Sequence, residues 1–142
     1  MARVIVSLGS NIEPRERYLE RARGALSELP GTCLLKASAV IETEPVDVPA
    51  PFAAMRFLNQ AVILETDLAP LEFSRRMHVI EGDIGRIRMV RNGPRAIDID
   101  LIDYAGLTLR SPYLILPHPR AHEREFVMRS LHELGVVLSF GG

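Results

Sequence analysis

Two aspartates separated by one residue, Asp98 and Asp100, stand within the segment Ile97-Asp98-Ile99-Asp100-Leu101. In a β-strand, side chains alternate between faces, so both carboxylates would share one face while the aliphatic residues turn to the core. Their Cβ atoms would lie about 6–7 Å apart, given a rise of ~3.3 Å per residue. Such oxygen ligands suit Mg²⁺. The pattern indicates a metal-binding pair, and a solvated strand face is the alternative.

Basic residues accumulate next to these aspartates. Of the 17 basic residues, 16 are arginine, and eight of those lie between Arg86 and Arg129. The guanidinium fork matches phosphate oxygens. A carboxylate pair beside a glycine-bearing loop with Arg86, Arg88 and Arg95 contains the parts of a metal–polyphosphate site. The alternatives are a solvated basic loop and a general preference for arginine.

Single candidates lie elsewhere in the chain. Leu8-Gly9-Ser10-Asn11 is expected to be a strand-to-helix turn, which either holds an anion on backbone N–H groups or is simply capped by Asn11. Asn59 could read the edge of a heterocycle with its amide. His118 lies between two prolines, and Glu81 shares a helix face with Ser74 and His78. Each of these side chains also has an ordinary structural explanation.

The elements that must position these residues follow from hydrophobic periodicity. Strands are expected at Arg3–Leu8, Cys33–Ile41, Leu58–Thr66 and Ala96–Tyr104. Helices are expected after Pro14, after Asp67 and over Phe126–Leu134. The two longer helices have core stripes at Leu19, Ala22, Leu26 and Leu29, and at Phe73, Met77, Ile80 and Ile84, with Gly85 ending the second helix. The order β-α-β-β-α-β predicts a ferredoxin-like α+β sandwich, with helices on one face of an antiparallel sheet and a C-terminal extension.

Bulk properties limit the class of protein. The chain has 142 residues, 47% hydrophobic and 25% charged, with a net charge of -1, which predicts one domain over 1–142 and no nucleic-acid partner. A single cysteine, Cys33, excludes an intramolecular disulfide. The apolar run at the N-terminus is shorter than a signal peptide's core, and no run is long enough to cross a membrane. We therefore expect a cytoplasmic monomer.

These segments together resemble 6-hydroxymethyl-7,8-dihydropterin pyrophosphokinases of folate biosynthesis. The segments that match run in the family's order over nearly the whole chain: Leu8-Gly9-Ser10-Asn11, Thr43 with Pro45, Phe57-Leu58-Asn59, Ile80-Glu81, Gly85-Arg86-Ile87-Arg88, Gly93-Pro94-Arg95, Asp98-Ile99-Asp100, Pro117-His118, and Arg124 with Phe126. Many relatives carry tryptophan before Gly-Pro-Arg, where this chain has Asn92.

The resemblance implies that the pterin's hydroxymethyl oxygen attacks the β-phosphorus of ATP and that AMP leaves. It places two Mg²⁺ ions on Asp98 and Asp100, and the transferred group beside Arg86 and Arg95. The other residues that it assigns to ATP are Arg88, His118, Arg124 and Glu81, the last as part of the active-site network. The residues that it assigns to the pterin are the sandwiching Phe57 and Phe126, the amide of Asn59, and groups around Thr43 and Val46.

Three other functions fit the same predicted fold. RNA binding requires exposed aromatic residues on the central strands, and two aspartates on the sheet would repel RNA. An acylphosphatase-like hydrolase leaves the aspartate pair without a role. A pterin or nucleotide sensor with weakened catalysis is the third alternative, which the replacement at Asn92 keeps open.

Overall fold

The computed structural model describes residues 1–44, 56–85, 96–121 and 125–135. The strands are β1 (Ala2–Ser10), β2 (Thr32–Ala37), β3 (Ile41–Thr43), β4 (Phe57–Thr66), β5 (Asp98–Tyr104), β6 (Leu109–Arg110) and β7 (Ile115–Leu116). The helices are α1 (Arg15–Ser27), α2 (Pro70–Ile84) and α3 (Glu125–Glu133). Within these ranges, no helix is both long and apolar enough to cross a membrane.

The main sheet is antiparallel, with the strand order β2-β4-β1-β5. β2 pairs with the last residues of β4 and β3 with its first residues, so the two short strands lie end to end along one edge. β6 and β7 form a separate small hairpin that the periodicity did not predict. With β2 and β3 counted as one interrupted strand, this is the ferredoxin-like arrangement that the element order predicted.

One face of the sheet packs against α1 and α2. Val4, Val6 and Leu8 of β1 are fully buried there. From the helices, the buried side chains are Leu19, Ala22 and Leu26 of α1 with Phe73 and Met77 of α2, and Leu29, Ile80 and Ile84 are partly buried against them. Both predicted core stripes are confirmed, because a 3.6-residue period places one apolar stripe on one side of each helix.

The opposite face is covered at one end by α3, which forms the predicted C-terminal extension. Val127 and Leu131 of α3 pack with Ile5, Ile63 and Ile102 of the sheet in a second buried cluster. We call this side of the sheet the α3 face. The cluster spans only part of the face, so it leaves the end that carries Gly9, Asn59 and Asp98 outside it.

Two predictions about strands were wrong. β1 does not end at Leu8 but continues through Gly9 and Ser10, which pair with Asn59 and Leu58 of β4. The segment predicted as one strand over Cys33–Ile41 is divided, and Cys33 and Leu35 are exposed. The second error has two causes: β2 is an edge strand with no buried residue on either face, and a register shift between Leu34 and Lys36 breaks the two-residue alternation.

Candidate active site

A row of three residues crosses the sheet on the α3 face. Asp98 of β5 stands opposite Gly9 of β1, and Gly9 stands opposite Asn59 of β4. Asp100 stands opposite Ser7 in the next row on that face, while the intervening Ile99 is buried in the core under α1 and α2. Since neighbouring strands are about 4.8 Å apart, roughly 10 Å separates Asp98 from Asn59. The sheet thus holds a carboxylate pair and an amide on the same face, two strands apart.

Gly9 lies between Asp98 and Asn59 and has no side chain on the surface of the sheet there. A Cβ atom built on Gly9 would lie 3.1 Å from Asn59 Oδ1 and 3.5 Å from Phe57 Cδ1. A Cβ atom here would therefore crowd the amide oxygen, and it would contact the aromatic ring at an ordinary van der Waals distance. Gly9 was expected in a turn, but it lies in β1, because the register with β4 and β5 extends the strand through it.

The amide of Asn59 has a fixed orientation. Its Nδ2 donates to Thr43 Oγ1 over 2.5 Å, and the residue is only 3% exposed. With the nitrogen engaged by β3, the oxygen is the amide atom directed toward Gly9. Thr43 also pairs with Phe57 across β3 and β4, so the three residues assigned to one ligand by resemblance are brought together by the sheet.

The second aromatic residue assigned to that ligand is Phe126, near the start of α3. It is half-buried and packs against the cluster under α3, and so lies on the same face as Phe57. Both predicted aromatic residues therefore border the α3 face. Val46 of the same predicted set lies outside the described residues, as does Arg124.

His118 lies beside Asp100. Its backbone N–H donates to the carbonyl oxygen of Ile102 over 2.8 Å, and its Nε2 is 3.8 Å from Asp100 Oδ1. The backbone N–H of Arg120 donates to Nδ1 over 3.2 Å. Because Nδ1 accepts this bond, the neutral imidazole carries its proton on Nε2. An N–H donor is thus directed to the side of the carboxylate pair.

Glu81 reaches β5 from the last turn of α2. Its Oε2 accepts the backbone N–H of Ile99 over 2.7 Å, and its Oε1 lies 3.5 Å from His78 Nδ1. The carboxylate is mostly buried, with a side chain 17% exposed. Ser74, on the same helix face, is buried as well, whereas His78 is exposed. The face that these three residues share is therefore only partly solvated.

The remaining predicted phosphate ligands, Arg86, Arg88 and Arg95, lie outside the described residues. The described residues that flank them do meet at β5. A Cβ atom on Gly85 would lie 3.5 Å from the carbonyl oxygen of Ile97. Gly85 and Ile97, on either side of residues 86–95, therefore lie close together next to Asp98.

A similar arrangement flanks residues 45–55. Arg56 Nη2 lies 3.1 Å from Glu44 Oε1, and Arg15 Nη1 lies 2.9 Å from Glu42 Oε2. The hydrogen bond from Arg15 holds the pKa of Glu42 below its ordinary value. These ion pairs join the start of α1, β3 and the residue before β4, next to Thr43 and Phe57.

A cavity of about 300 Å³ opens at the outer edge of β5. α2 contributes Ser74 and His78 to its wall, and the β6–β7 hairpin contributes Tyr113. Asp100 and His118 also line it, so the cavity adjoins the carboxylate pair. The hairpin's part in this site was not predicted, although Ser111-Pro112-Tyr113 carries the turn signal that could have indicated it.

The two aspartates fit a metal ion whose remaining ligands are supplied by a substrate and by water. Within the described ranges, no group of three or more His, Cys, Asp or Glu residues could hold an ion. Asp98 and Asp100 nevertheless present two half-buried carboxylates on one face. Mg²⁺ is commonly held by one or two carboxylates, with water and phosphate oxygens completing its octahedron. The donor set of this chain meets that requirement.

Similarity to known proteins identifies the family. Residues 5–136 match the family described as 7,8-dihydro-6-hydroxymethylpterin-pyrophosphokinase (HPPK). The 2-amino-4-hydroxy-6-hydroxymethyldihydropteridine pyrophosphokinase of Bacillus subtilis is 39% identical over 91% of this chain and 75% of the relative. The protein of the same name from Pseudomonas aeruginosa is 38% identical over 93% of this chain and 80% of the relative.

Larger proteins contain a similar region. The mitochondrial folate synthesis bifunctional protein of Arabidopsis thaliana is 39% identical over 92% of this chain, which spans 23% of that protein. The fold matches a Plasmodium falciparum HPPK-DHPS crystal structure with a TM-score of 0.67 over 93% of this chain and 40% of that one, at 14% identity. From the family match and the two bacterial relatives, the chain belongs to the 7,8-dihydro-6-hydroxymethylpterin-pyrophosphokinase family.

Proposed function

We propose that this chain transfers pyrophosphate from ATP, bound with Mg²⁺, to 6-hydroxymethyl-7,8-dihydropterin and releases AMP. The observation that carries the proposal is the row of Asp98, Gly9 and Asn59 across three strands. It places groups suited to a metal–triphosphate and a group suited to a heterocycle on either side of a bare glycine. This is the arrangement that transfer between two bound substrates requires.

On the nucleotide side, Asp98 and Asp100 would hold two Mg²⁺ ions with the triphosphate. When bound, these ions supply charge neutralisation at the phosphates. His118 would donate its Nε2–H to a phosphate oxygen, and the cavity beside it has room for the nucleoside. The further residues assigned to phosphates or to the ATP network are Arg86, Arg88, Arg95, Arg124 and Glu81.

On the pterin side, Phe57 and Phe126 would sandwich the ring. A flat, polar, neutral heterocycle suits two aromatic faces and a few hydrogen bonds. Asn59 Oδ1 would accept from the ring's edge, because Thr43 already occupies the amide nitrogen. Groups around Thr43 and Val46 would complete the recognition of that edge.

In the transfer, the hydroxymethyl oxygen forms a bond to the β-phosphorus while the bond from that phosphorus to the bridging oxygen of AMP breaks. The hydroxyl proton is released and the leaving phosphate remains on AMP. Such a step depends on alignment and charge stabilisation more than on a strong base. We therefore assign no side-chain general base. Arg86 and Arg95 would stabilise the negative charge that develops on the transferred group.

Release of AMP from ATP tests this function, with and without 6-hydroxymethyl-7,8-dihydropterin, in Mg²⁺ and in EDTA. We expect AMP only when both the pterin and Mg²⁺ are present. AMP without pterin would contradict transfer and indicate hydrolysis. Saturable pterin binding without AMP in any condition would contradict catalysis and favour the sensor alternative.

A further inference from the structure

β5 carries both aspartates and forms one edge of the main sheet. β1 pairs with it on one side, and no strand of the main sheet lies on its other side within the described chain. An edge strand presents every second N–H group outward, where it needs another acceptor. The outward N–H of Ile99, which lies between the two aspartates, has its acceptor in Glu81.

The C-terminal end of α2 contacts β5 at Ile99 and lies beside Ile97, the residue before β5. Glu81 Oε2 accepts the Ile99 N–H over 2.7 Å. One turn later, Gly85 lies beside Ile97, and a Cβ atom built on it would be at van der Waals distance, 3.5 Å, from the Ile97 carbonyl oxygen. A hydrogen bond to a charged acceptor is about twice as strong as one between neutral groups. The contact with Glu81 is therefore the stronger of the two constraints.

We propose that Glu81 is a positioning residue for the aspartate pair, acting through the Ile99 peptide rather than on the nucleotide. The inference rests on the proposed function, because it assigns the pair's geometry to metal and phosphate binding. Displacing the Ile99 peptide would move Asp98 and Asp100 together, since they are its immediate neighbours in the strand. Loss of such supporting contacts typically costs 10–100-fold in metal affinity or activity.

Two substitutions separate positioning from direct contact. Glu81→Gln keeps an oxygen acceptor for Ile99 but removes the charge. Glu81→Met keeps the length and the helix propensity but removes the acceptor. If Glu81 acts by positioning, the Ile99 amide protection and the Mg²⁺ requirement should be close to those of the wild type in Glu81→Gln. Both should change in Glu81→Met. A carboxylate that contacts metal or nucleotide directly predicts that both variants fail alike.

The first measurement needs no substrate. Amide hydrogen exchange, resolved at Ile99 by NMR, reports whether this N–H is bonded in the free protein. We expect protection in the wild type and in Glu81→Gln, and at least ~10-fold faster exchange in Glu81→Met, as follows from losing the carboxylate that accepts from this amide. An unprotected Ile99 amide in the wild type would overturn the proposal without any variant.

The second measurement is the free Mg²⁺ concentration that gives half-maximal AMP release, with kcat and the KM for ATP measured separately. We expect that concentration to rise by about 10-fold or more in Glu81→Met and by less than about 3-fold in Glu81→Gln. Glu20→Met and Glu20→Gln are matched controls at an exposed position of α1, and should leave it unchanged. Equal losses in both Glu81 variants would overturn positioning in favour of direct contact.

Failure of this inference can be distinguished from failure of the proposed function. If the wild type releases AMP but Glu81→Met keeps the wild-type Mg²⁺ requirement, only the inference fails. If the wild type releases no AMP with pterin, the proposed function fails. Calorimetric titration of the variants with Mg²⁺ and a non-hydrolysable ATP analogue then decides the positioning role, and equal Mg²⁺-dependent affinities in wild type and Glu81→Met would overturn it.

Discussion

At the scale of single residues, Gly9 is the position where the absence of a side chain has a visible consequence. It lies in extended strand backbone, so its role is one of space rather than of an unusual backbone conformation. Its neighbours across the sheet are the two polar residues that we assign to different substrates, Asp98 and Asn59. A change at Gly9 should therefore affect recognition before it affects folding.

Gly9→Ala should weaken pterin binding by about 5-fold, the scale of one compromised hydrogen bond of about 1 kcal/mol. The added methyl group would lie 3.1 Å from Asn59 Oδ1 and must displace it. The KM for ATP should change much less. Gly24→Ala in α1 is the control, because its Cβ would meet no described atom within 4 Å. Unchanged pterin affinity in Gly9→Ala, measured by calorimetry, would contradict the role assigned to the missing side chain at Gly9.

Asp98→Asn should reduce kcat by about 10²–10³-fold, the cost typical of removing one preorganised charge-stabilising group. The variant keeps the shape of the side chain and loses the charge that a divalent ion requires. Asp103→Asn is the matched control on the same strand, since Asp103 accepts from Gly106 away from the pair. Near-normal AMP release by Asp98→Asn at limiting Mg²⁺ would rule out the assigned metal role.

At the scale of elements, α2 links the core to the site. Its buried side packs on the sheet through Phe73 and Met77, and its last turn contacts β5 through Glu81. Its first turn carries an ion-pair cluster, in which Glu72 accepts hydrogen bonds from Arg75 and Arg76 over 2.6–3.0 Å. The three side chains of the cluster are exposed or half-buried, and Glu72 lies about two and a half turns before Glu81 in the same helix.

The Glu72 cluster should make the stability of α2 depend on pH. Hydrogen bonds from Arg75, and then from Arg76, lower the pKa of Glu72 from 4.5 to about 2. Since the folded-state pKa is depressed, the stabilisation is present above about pH 4.5 and is lost as the pH falls toward 2. Glu72→Gln should therefore lower Tm slightly at pH 7, and the difference from wild type should narrow between pH 4.5 and 2.

Salt and a matched substitution check that interpretation. The glutamate is exposed, so added salt should also reduce the difference in Tm between wild type and Glu72→Gln. Glu20→Gln, at an exposed position of α1, should show no comparable pH dependence. A difference in Tm that stays constant from pH 7 to pH 2 would mean that charge at Glu72 does not stabilise α2.

The elements whose patterns are local in the sequence are those that could be predicted from it. Helical stripes such as Leu19 to Leu26, and the alternation of Asp98 and Asp100 with buried Ile99, are local patterns, and the structure has both as predicted. The division of the second strand and its exposed Leu35 were not predictable in this way. A register shift depends on pairing with β4, whose residues are distant in the sequence.

At the scale of the whole molecule, the site depends on contacts between distant segments. The predicted residues Asn59, Phe57 and Thr43 come together because β3 and β4 pair in one particular register. The position of Gly9 between Asp98 and Asn59, and the bond from Glu81 to Ile99, also follow from tertiary packing. Residue types and their resemblance to a family predicted the participants, and the sheet's register determines how they are arranged.

The last prediction concerns coupling between ligand binding and folding of the whole chain. A ligand that binds only the folded state stabilises it by RT ln(1 + [L]/Kd), about 2.7 kcal/mol at 100 times Kd. For a chain of this size, 1 kcal/mol corresponds to a Tm change of roughly 2–4 °C. A saturating non-hydrolysable ATP analogue with Mg²⁺ should therefore raise Tm by about 5–11 °C.

EDTA should remove most of this increase, because the two carboxylates and the triphosphate repel each other without the cation. Asp98→Asn should show the same small increase with or without EDTA, while Asp103→Asn should respond like the wild type. An EDTA-resistant increase in the wild type, measured by scanning calorimetry, would mean that nucleotide binding does not depend on a metal at the aspartate pair.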